Sequence, residues 1–183
     1  AIRLNLASDA GANEFKAIRD AFKNVRENGS LDLTLIGCKE IPADGLNNQS
    51  GGLEALKSIT LPDVTKIGKN ALLFCVYLEE INTPNVTSIH ENAFGGCTNL
   101  QKITFGELTE VKGLSHDYDG ILDPGVDTER INLVLSENQK VMTKNRQGNE
   151  YFWTPTKEYY KGSVEYGIPS FLEYKFNSVS FKK

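Results

Sequence analysis

The sequence predicts an α/β repeat fold: a short solenoid of stacked strands, closed by a helical cap at the N-terminus and a β-rich cap at the C-terminus. Three observations predict it. The stretch "ITLPDVTKIGKNALLFC" (residues 59–75) returns 22 positions later as "INTPNVTSIHENAFGGC" (81–97). A segment with helical apolar spacing precedes the repeats. An aromatic-rich segment ending in strand-like alternation follows them.

The repeat is exact enough to align by hand. A shift of 22 carries Leu56 to Leu78 to Leu100, Ile59 to Ile81 to Ile103, Val64 to Val86 to Leu108, and Ile67 to Ile89 to Val111. Pro62 returns as Pro84, Asn70 as Asn92, Ala71 as Ala93 and Cys75 as Cys97. A looser copy lies 26 positions earlier, where Leu33, Leu35, Cys38 and Ile41 stand at the places of Ile59, Leu61, Val64 and Ile67. Its extra length falls in "NNQSGG" (47–52), which reads as a swollen loop. Residues 30–113 therefore hold one loose copy, two good copies and one that stops early, interrupted at Gly106 and Lys112.

Spacing gives each unit its shape. In "LKSITL" the residues Ile59 and Leu61 share one face of a short strand. Pro62 cannot continue a ladder and ends it. Val64 and Ile67 turn back into the same core, and "KNALLFC" supplies one or two helical turns with Ala71 and Leu72 inward. A unit this short cannot bury its apolar side alone. Stacking at about 4.8 Å per strand makes a continuous core.

These residues resemble the BspA-like leucine-rich repeats of bacterial surface proteins. The resemblance rests on Pro62/Pro84, Val64/Val86, Ile67/Ile89, Ala71/Ala93 and Cys75/Cys97; Phe94 keeps the usual aromatic, and Leu72 and Leu73 replace it in the earlier copy. It implies a right-handed solenoid, with parallel strands on one face and short helices or turns on the other. It also implies a secreted or lipid-anchored, non-enzymatic protein with a role in adhesion and protein binding. The chain begins at Ala1, so a signal or lipid anchor is expected to have been removed from it.

Three parts follow: an N-terminal cap (1–29), the leucine-rich repeats (30–113), and a connection with the C-terminal β cap (114–183). In the first, "IRLNL" alternates as a strand. Phe15, Ile18, Phe22 and Val25 fall at helical spacing, with Asn13 or Asp9 as the expected cap and Gly29 as the end. In the last, residues 114–130 read as a connection, "INLVLSENQK" (131–140) as a strand, and "LEYKFNSVSF" as a final strand with Tyr174, Phe176 and Val179 facing one way.

Bulk properties narrow the function. At 183 residues the chain buries about 70% of its unfolded surface, so the core alone can hold it. A net charge of −4 argues against nucleic acid, and the cluster Lys140, Lys144 and Arg146 is too thin to reverse that. No run of 18 apolar residues is present to span a membrane. Three cysteines, Cys38, Cys75 and Cys97, do not make a disulfide scaffold. Cys75 and Cys97 should stack in neighbouring coils, where packed free thiols are preferred and a disulfide is the alternative.

Chemistry is not evident. "HENAF" (90–94) opens like a zinc motif, but Phe94 stands where a second His would be required. Ser115, His116 and Asp117 are chain neighbours and point apart, unlike a triad built in space. Asp117, Asp119, Asp123, Asp127 and Glu129 suggest a solvated acidic loop before a calcium site, since EF-hand spacing is absent. No catalytic residue, metal or cofactor is assigned.

Two surfaces remain. Side chains between the core positions of each strand face outward: Asp32 and Thr34, Ser58 and Thr60, Glu80 and Asn82, Lys102 and Thr104. They form the candidate face for a protein partner, such as a host or extracellular-matrix component, and otherwise an ordinary wet sheet face. Tyr151, Trp153, Tyr159 and Tyr160 form the other candidate, a platform for glycan, with burial in the cap as the plainer reading.

Overall fold

The computed structural model describes residues 1–25, 27–49, 53–112, 120–141, 170–172 and 174–183. Strand β1 (Ile2–Asn5) leads into the helix α1 (Ala12–Phe22). The chain then alternates a longer and a two-residue strand: β2 (Leu31–Ile36) and β3 (Glu40–Ile41), β4 (Leu56–Thr60) and β5 (Lys66–Ile67), β6 (Glu80–Thr83) and β7 (Ser88–Ile89), β8 (Lys102–Phe105) and β9 (Glu110–Val111). β10 (Asn132–Ser136) follows, then an antiparallel pair, β11 (Ser170–Phe171) and β12 (Tyr174–Lys175), and finally β13 (Ser178–Lys182). The longer strands build one parallel sheet in the order β1-β2-β4-β6-β8-β10-β13. The short ones build a second, β3-β5-β7-β9. The architecture is α/β: mostly parallel sheet, with one α-helix among the described residues.

Register explains the repeat. Leu33 pairs with Ile59, Ile59 with Ile81, Ile81 with Ile103 and Ile103 with Leu133. None of these five is more than 1% exposed. Ile2 continues the row at one edge and Val179 at the other. In the second sheet Ile41, Ile67, Ile89 and Val111 stand in register, all buried. Each strand thus buries its apolar residues against like residues of the strands beside it. Fully burying a side chain of this size contributes about 1.5–3 kcal/mol. The looser spacing of the first copy is absorbed partly by a bulge: Leu31 pairs with Leu56 but Asp32 with Ser58, leaving Lys57 as the extra residue.

The turns after the short strands form a third stack. Asp44, Leu46 and Asn48 donate their backbone N–H groups to the carbonyls of Lys69, Ala71 and Leu73. Asn70, Leu72 and Phe74 do the same to Glu91, Ala93 and Gly95. Each turn opens on a residue at positive φ: Asp44 at 57°, Asn70 at 55° and Asn92 at 53°. Asp and Asn tolerate this left-handed conformation better than other residues with a Cβ, which accounts for the recurrence of Asn70 at Asn92. The Asn70 Nδ2 group also donates to Asp44 Oδ1 at 3.2 Å, tying one turn to the next.

Several expectations are corrected. The last copy does not stop at residue 113. Asn92, Phe94 and Gly96 donate to the carbonyls of Gly120, Ile121 and Pro124, as the earlier turns do to theirs. Residues 120–125, read as connection, therefore occupy the place of the next turn. The longer interval hides the correspondence, since Ala93 and Ile121 lie 28 positions apart. Gly106 is no interruption either. It stands at the place of Pro62 and Pro84, where a Cβ would lie 2.6 Å from the Val86 oxygen and 2.8 Å from the Pro84 oxygen.

The helix is shorter than its spacing suggested. Gly11, not Asn13 or Asp9, precedes it, and Glu14 reaches back to the Gly11 N–H at 2.8 Å. Phe15, Ile18 and Phe22 join the common core, while Val25 lies beyond the last turn and is 40% exposed. At the other end the final strand is divided. Tyr174 and Phe176 are buried, ring centroids 6.4 Å apart, and only residues 178–182 enter the large sheet, parallel to β10.

Replacing Gly106 with Ala is expected to destabilise the chain by about 1–3 kcal/mol through overpacking against the Pro84–Val86 backbone. The reference is Gly125→Ala, at φ 81° with nothing within 4 Å of the added carbon, where the left-handed backbone alone costs about 1–2 kcal/mol. Urea denaturation of the two variants measures the difference.

Candidate interaction surface

Alternation along the large sheet sends the residues beside the core rows to its outer face. Two rows result. Asp32, Ser58, Glu80, Lys102, Asn132 and Ser178 are consecutive partners in register. So are Arg3, Thr34, Thr60, Asn82, Thr104, Val134 and Ser180. The eight residues expected to face outward thus fall into two lines.

The first line satisfies itself. Ser58 Oγ donates to Asp32 Oδ1 at 2.6 Å, Lys102 Nζ meets Glu80 Oε1 at 2.7 Å, and Ser178 Oγ donates to Asn132 Oδ1 at 2.7 Å. Beside them, Lys57 and Glu79 approach to 3.8 Å. Glu80 and Lys102 compensate each other, an exposed pair that contributes at most about 1 kcal/mol, while Asp32 keeps its charge and accepts the Ser58 hydroxyl. In the second line Thr34, Thr60 and Asn82 are half-buried. Thr104 differs: at 4% exposure, in register between the half-buried Asn82 and Val134, it does not offer its hydroxyl to a partner. Along Thr34, Thr60 and Asn82 the face presents a neutral polar strip of hydroxyl and amide groups spaced about 4.8 Å apart, with Arg3 at its edge.

The second sheet carries its own ladder. Thr65 Oγ1 donates to the Lys39 carbonyl, Thr87 Oγ1 to Thr65 and Thr109 Oγ1 to Thr87, at 3.3, 3.2 and 3.3 Å. Lys66 pairs with Glu40 at 2.9 Å. A hydrogen bond from Ser88 Oγ, 2.8 Å long, holds the Glu110 carboxyl below the usual carboxylate range, with Lys112 at 3.6 Å adding to it. The signal for this ladder was present in the recurring Val-Thr and Leu-Thr pairs, to which the spacing argument gave no role.

All three cysteines are free and buried. Cys75 Sγ donates to the Leu46 carbonyl at 3.3 Å and Cys97 Sγ to that of Leu72 at 3.2 Å. The slot suits a residue that is small, apolar and able to satisfy a carbonyl of the preceding coil. A hydrogen bond with the Cys97 thiol, reinforced by burial, pushes the Cys75 thiol well up. Burial likewise raises Cys38. A thiol nucleophile needs the opposite shift and an accessible surface.

His90 is half-buried, next to the seam residue Ile89. Of the acidic residues, Asp127 pairs with Arg130 at 2.8 Å, and Asp123 accepts the Tyr174 hydroxyl at 3.1 Å. That hydroxyl also accepts the Leu122 N–H at 3.3 Å. Burial raises the Asp123 carboxyl, and the Tyr174 bond opposes the rise. Among the described residues no three His, Cys, Asp or Glu side chains come together as a metal site. Tyr151, Trp153, Tyr159 and Tyr160 lie outside the described residues, as do Lys144, Arg146, Ser115, His116, Asp117 and Asp119.

Parallel strands in register, repeated turns and a polar outer face define a tandem-repeat protein built from short strand-and-turn units. Residues 47–115 match the family model described as "BspA type Leucine rich repeat region (6 copies)", and this stretch is a BspA-type leucine-rich repeat region. Such regions are protein-interaction modules and generally non-enzymatic. The match leaves out β2 and β3 before it and β10 after it, although their register continues the same rows. Searches of the curated proteins and of the solved structures find no match. No helix among the described residues is long and apolar enough to cross a membrane.

Two outcomes are expected. At about pH 8 none of the three thiols reacts with a soluble maleimide in the native chain, and all react once it is unfolded. For Asp123, a carboxyl raised in the folded state stabilises the fold below the unfolded value, and that contribution is lost as pH rises through the folded value. Asp123→Asn removes the loss. Its melting temperature relative to the parent should therefore be higher near neutral pH than in mild acid.

Proposed function

We propose that the chain is a non-enzymatic interaction module, secreted or held at the cell surface, that binds a protein partner of the extracellular-matrix kind through the outer face of its large sheet. In this reading the repeats from residue 30 through the turn at 120–125 wind as a right-handed solenoid, with residues 1–29 and the C-terminal strands covering its two open ends. The handedness follows from the strong preference of parallel crossovers. The covers follow from the need to seal the terminal coils: Phe15, Ile18 and Phe22 supply buried apolar area at one end and Tyr174 and Phe176 at the other.

The observation that carries the binding reading is the neutral strip. Thr34, Thr60 and Asn82 stand in register, partly open to solvent, beside a line of side chains already bonded to one another. Along this strip itself a partner meets uncharged hydrogen-bonding groups on a rigid sheet, which avoids the desolvation of charge that is the costly step in polar recognition. Binding of this type depends on contact and shape more than on long-range steering, so it varies little with salt.

The test uses the full chain and a panel of immobilised purified extracellular-matrix proteins. Thr60→Arg combined with Asn82→Arg should weaken binding at least about tenfold while leaving the melting temperature near that of the parent. Lys69→Glu, on the turn side, should leave binding unchanged. No binding by the parent chain, or equal binding by the double variant, contradicts the proposal.

A further inference from the structure

We infer that a depression between α1 and the first turns is a binding site for a hydroxylated carboxylate of about one sugar ring, a uronic acid. It has a volume of about 310 Å³ and is lined by Lys16, Arg19, Asp20, Lys23, Asp44, Asn47 and Gln49. No apolar side chain is among them. Pockets for drug-like ligands begin at about this volume but are mostly apolar; one whose lining side chains all end in polar groups, on aliphatic stems that can pack against a ring, suits a ligand covered in hydroxyl groups.

The charges favour an anion. Three cationic side chains face two carboxylates in the depression, on a chain whose net charge is −4. One carboxylate is spent: Lys16 Nζ and Asp20 Oδ2 are 2.6 Å apart, one helical turn from each other. The other, Asp44, receives Asn47 Nδ2 at 2.9 Å and Asn70 Nδ2 at 3.2 Å on a single oxygen, Oδ1. Arg19 is half-buried, and its Nη1 is anchored on the Asp44 carbonyl at 2.8 Å and on the Gly45 carbonyl. Its position is thereby fixed, and the rest of the guanidinium remains to meet a carboxylate. Among the described residues no hydrogen bond or ion pair holds the Lys23 ammonium.

Roles follow from this arrangement. Arg19 and Lys23 take the carboxylate by charge-assisted hydrogen bonds, of which Arg supplies the directional part. Asp44 Oδ2 and the amides of Asn47 and Gln49 take ring hydroxyls, the amides serving as donor or acceptor. Asn47 is itself preset, since its Oδ1 accepts the Gln49 backbone N–H at 2.7 Å. The site lies on the helix-and-turn side, so it stands independently of the outer sheet face.

The test is titration of the full chain with glucuronate, followed by NMR at the Asn47 and Gln49 side-chain amides. A dissociation constant on the order of 1 mM is expected for so small a ligand. Lys23→Gln should weaken binding about tenfold, and Arg19→Lys, which keeps the charge but loses the fork, should weaken it as well. Lys57→Gln on the far face should change nothing. Glucose, without the carboxylate, and acetate, without the ring, should each bind at least about tenfold less tightly. Failure of glucuronate to shift the two amides, unchanged binding by Lys23→Gln, or equal binding of glucose would overturn the assignment.

Discussion

Every level of this structure depends on one constraint: a coil of about 22 residues cannot close its own interior. Ile59, Ile81 and Ile103 are each fully buried, each between strand partners contributed by other units. Those partners lie on the strand before and the strand after, in register. The same holds for the seam of Ile41, Ile67, Ile89 and Val111. Stability therefore resides mainly between units, as expected for a one-dimensional array, and removing one seam residue is felt on both sides.

Polar groups obey the same rule. Buried backbone groups need partners, and here many partners belong to the next coil. The threonine ladder of Thr65, Thr87 and Thr109 answers carbonyls one coil back, and the thiols of Cys75 and Cys97 answer those of Leu46 and Leu72. Asn85 Nδ2 reaches the Pro62 carbonyl at 2.7 Å, and Asn99 Nδ2 reaches that of Val76 at 2.7 Å. Recurrent polar residues in this chain are thus structural. On the large sheet, the outer strip of Thr34, Thr60 and Asn82 leaves polar groups open to a partner.

The apolar rows were legible in the sequence because register repeats what spacing repeats: a strict interval of 22 aligns Ile59, Ile81 and Ile103 in the chain as in the sheet. Where the interval changed, reading by spacing lost the thread. Residues 120–125 make the contacts of a repeat turn, but a longer interval and a Pro-Gly pair made them look like a connection. Gly106 looked like a break because its role is close approach, which leaves no apolar signature. The roles of Asn70 and Asn92 depend on a backbone angle, and those of the cysteines on a carbonyl of another coil; neither is written in residue type. Val25 kept helical spacing past the helix end, since periodicity does not report where the backbone stops. Of the outward residues, alternation placed all eight on the correct lines but did not give the covering of Thr104.

Native-state hydrogen exchange on the parent and on Ile81→Ala tests the central claim most directly. The account predicts that the amides of β4, β6 and β8 exchange through a common opening, and that the substitution lowers their protection together, by about 2–5 kcal/mol. Loss of protection confined to β6, with β4 and β8 unchanged, would show that each coil is stable by itself and would contradict the account.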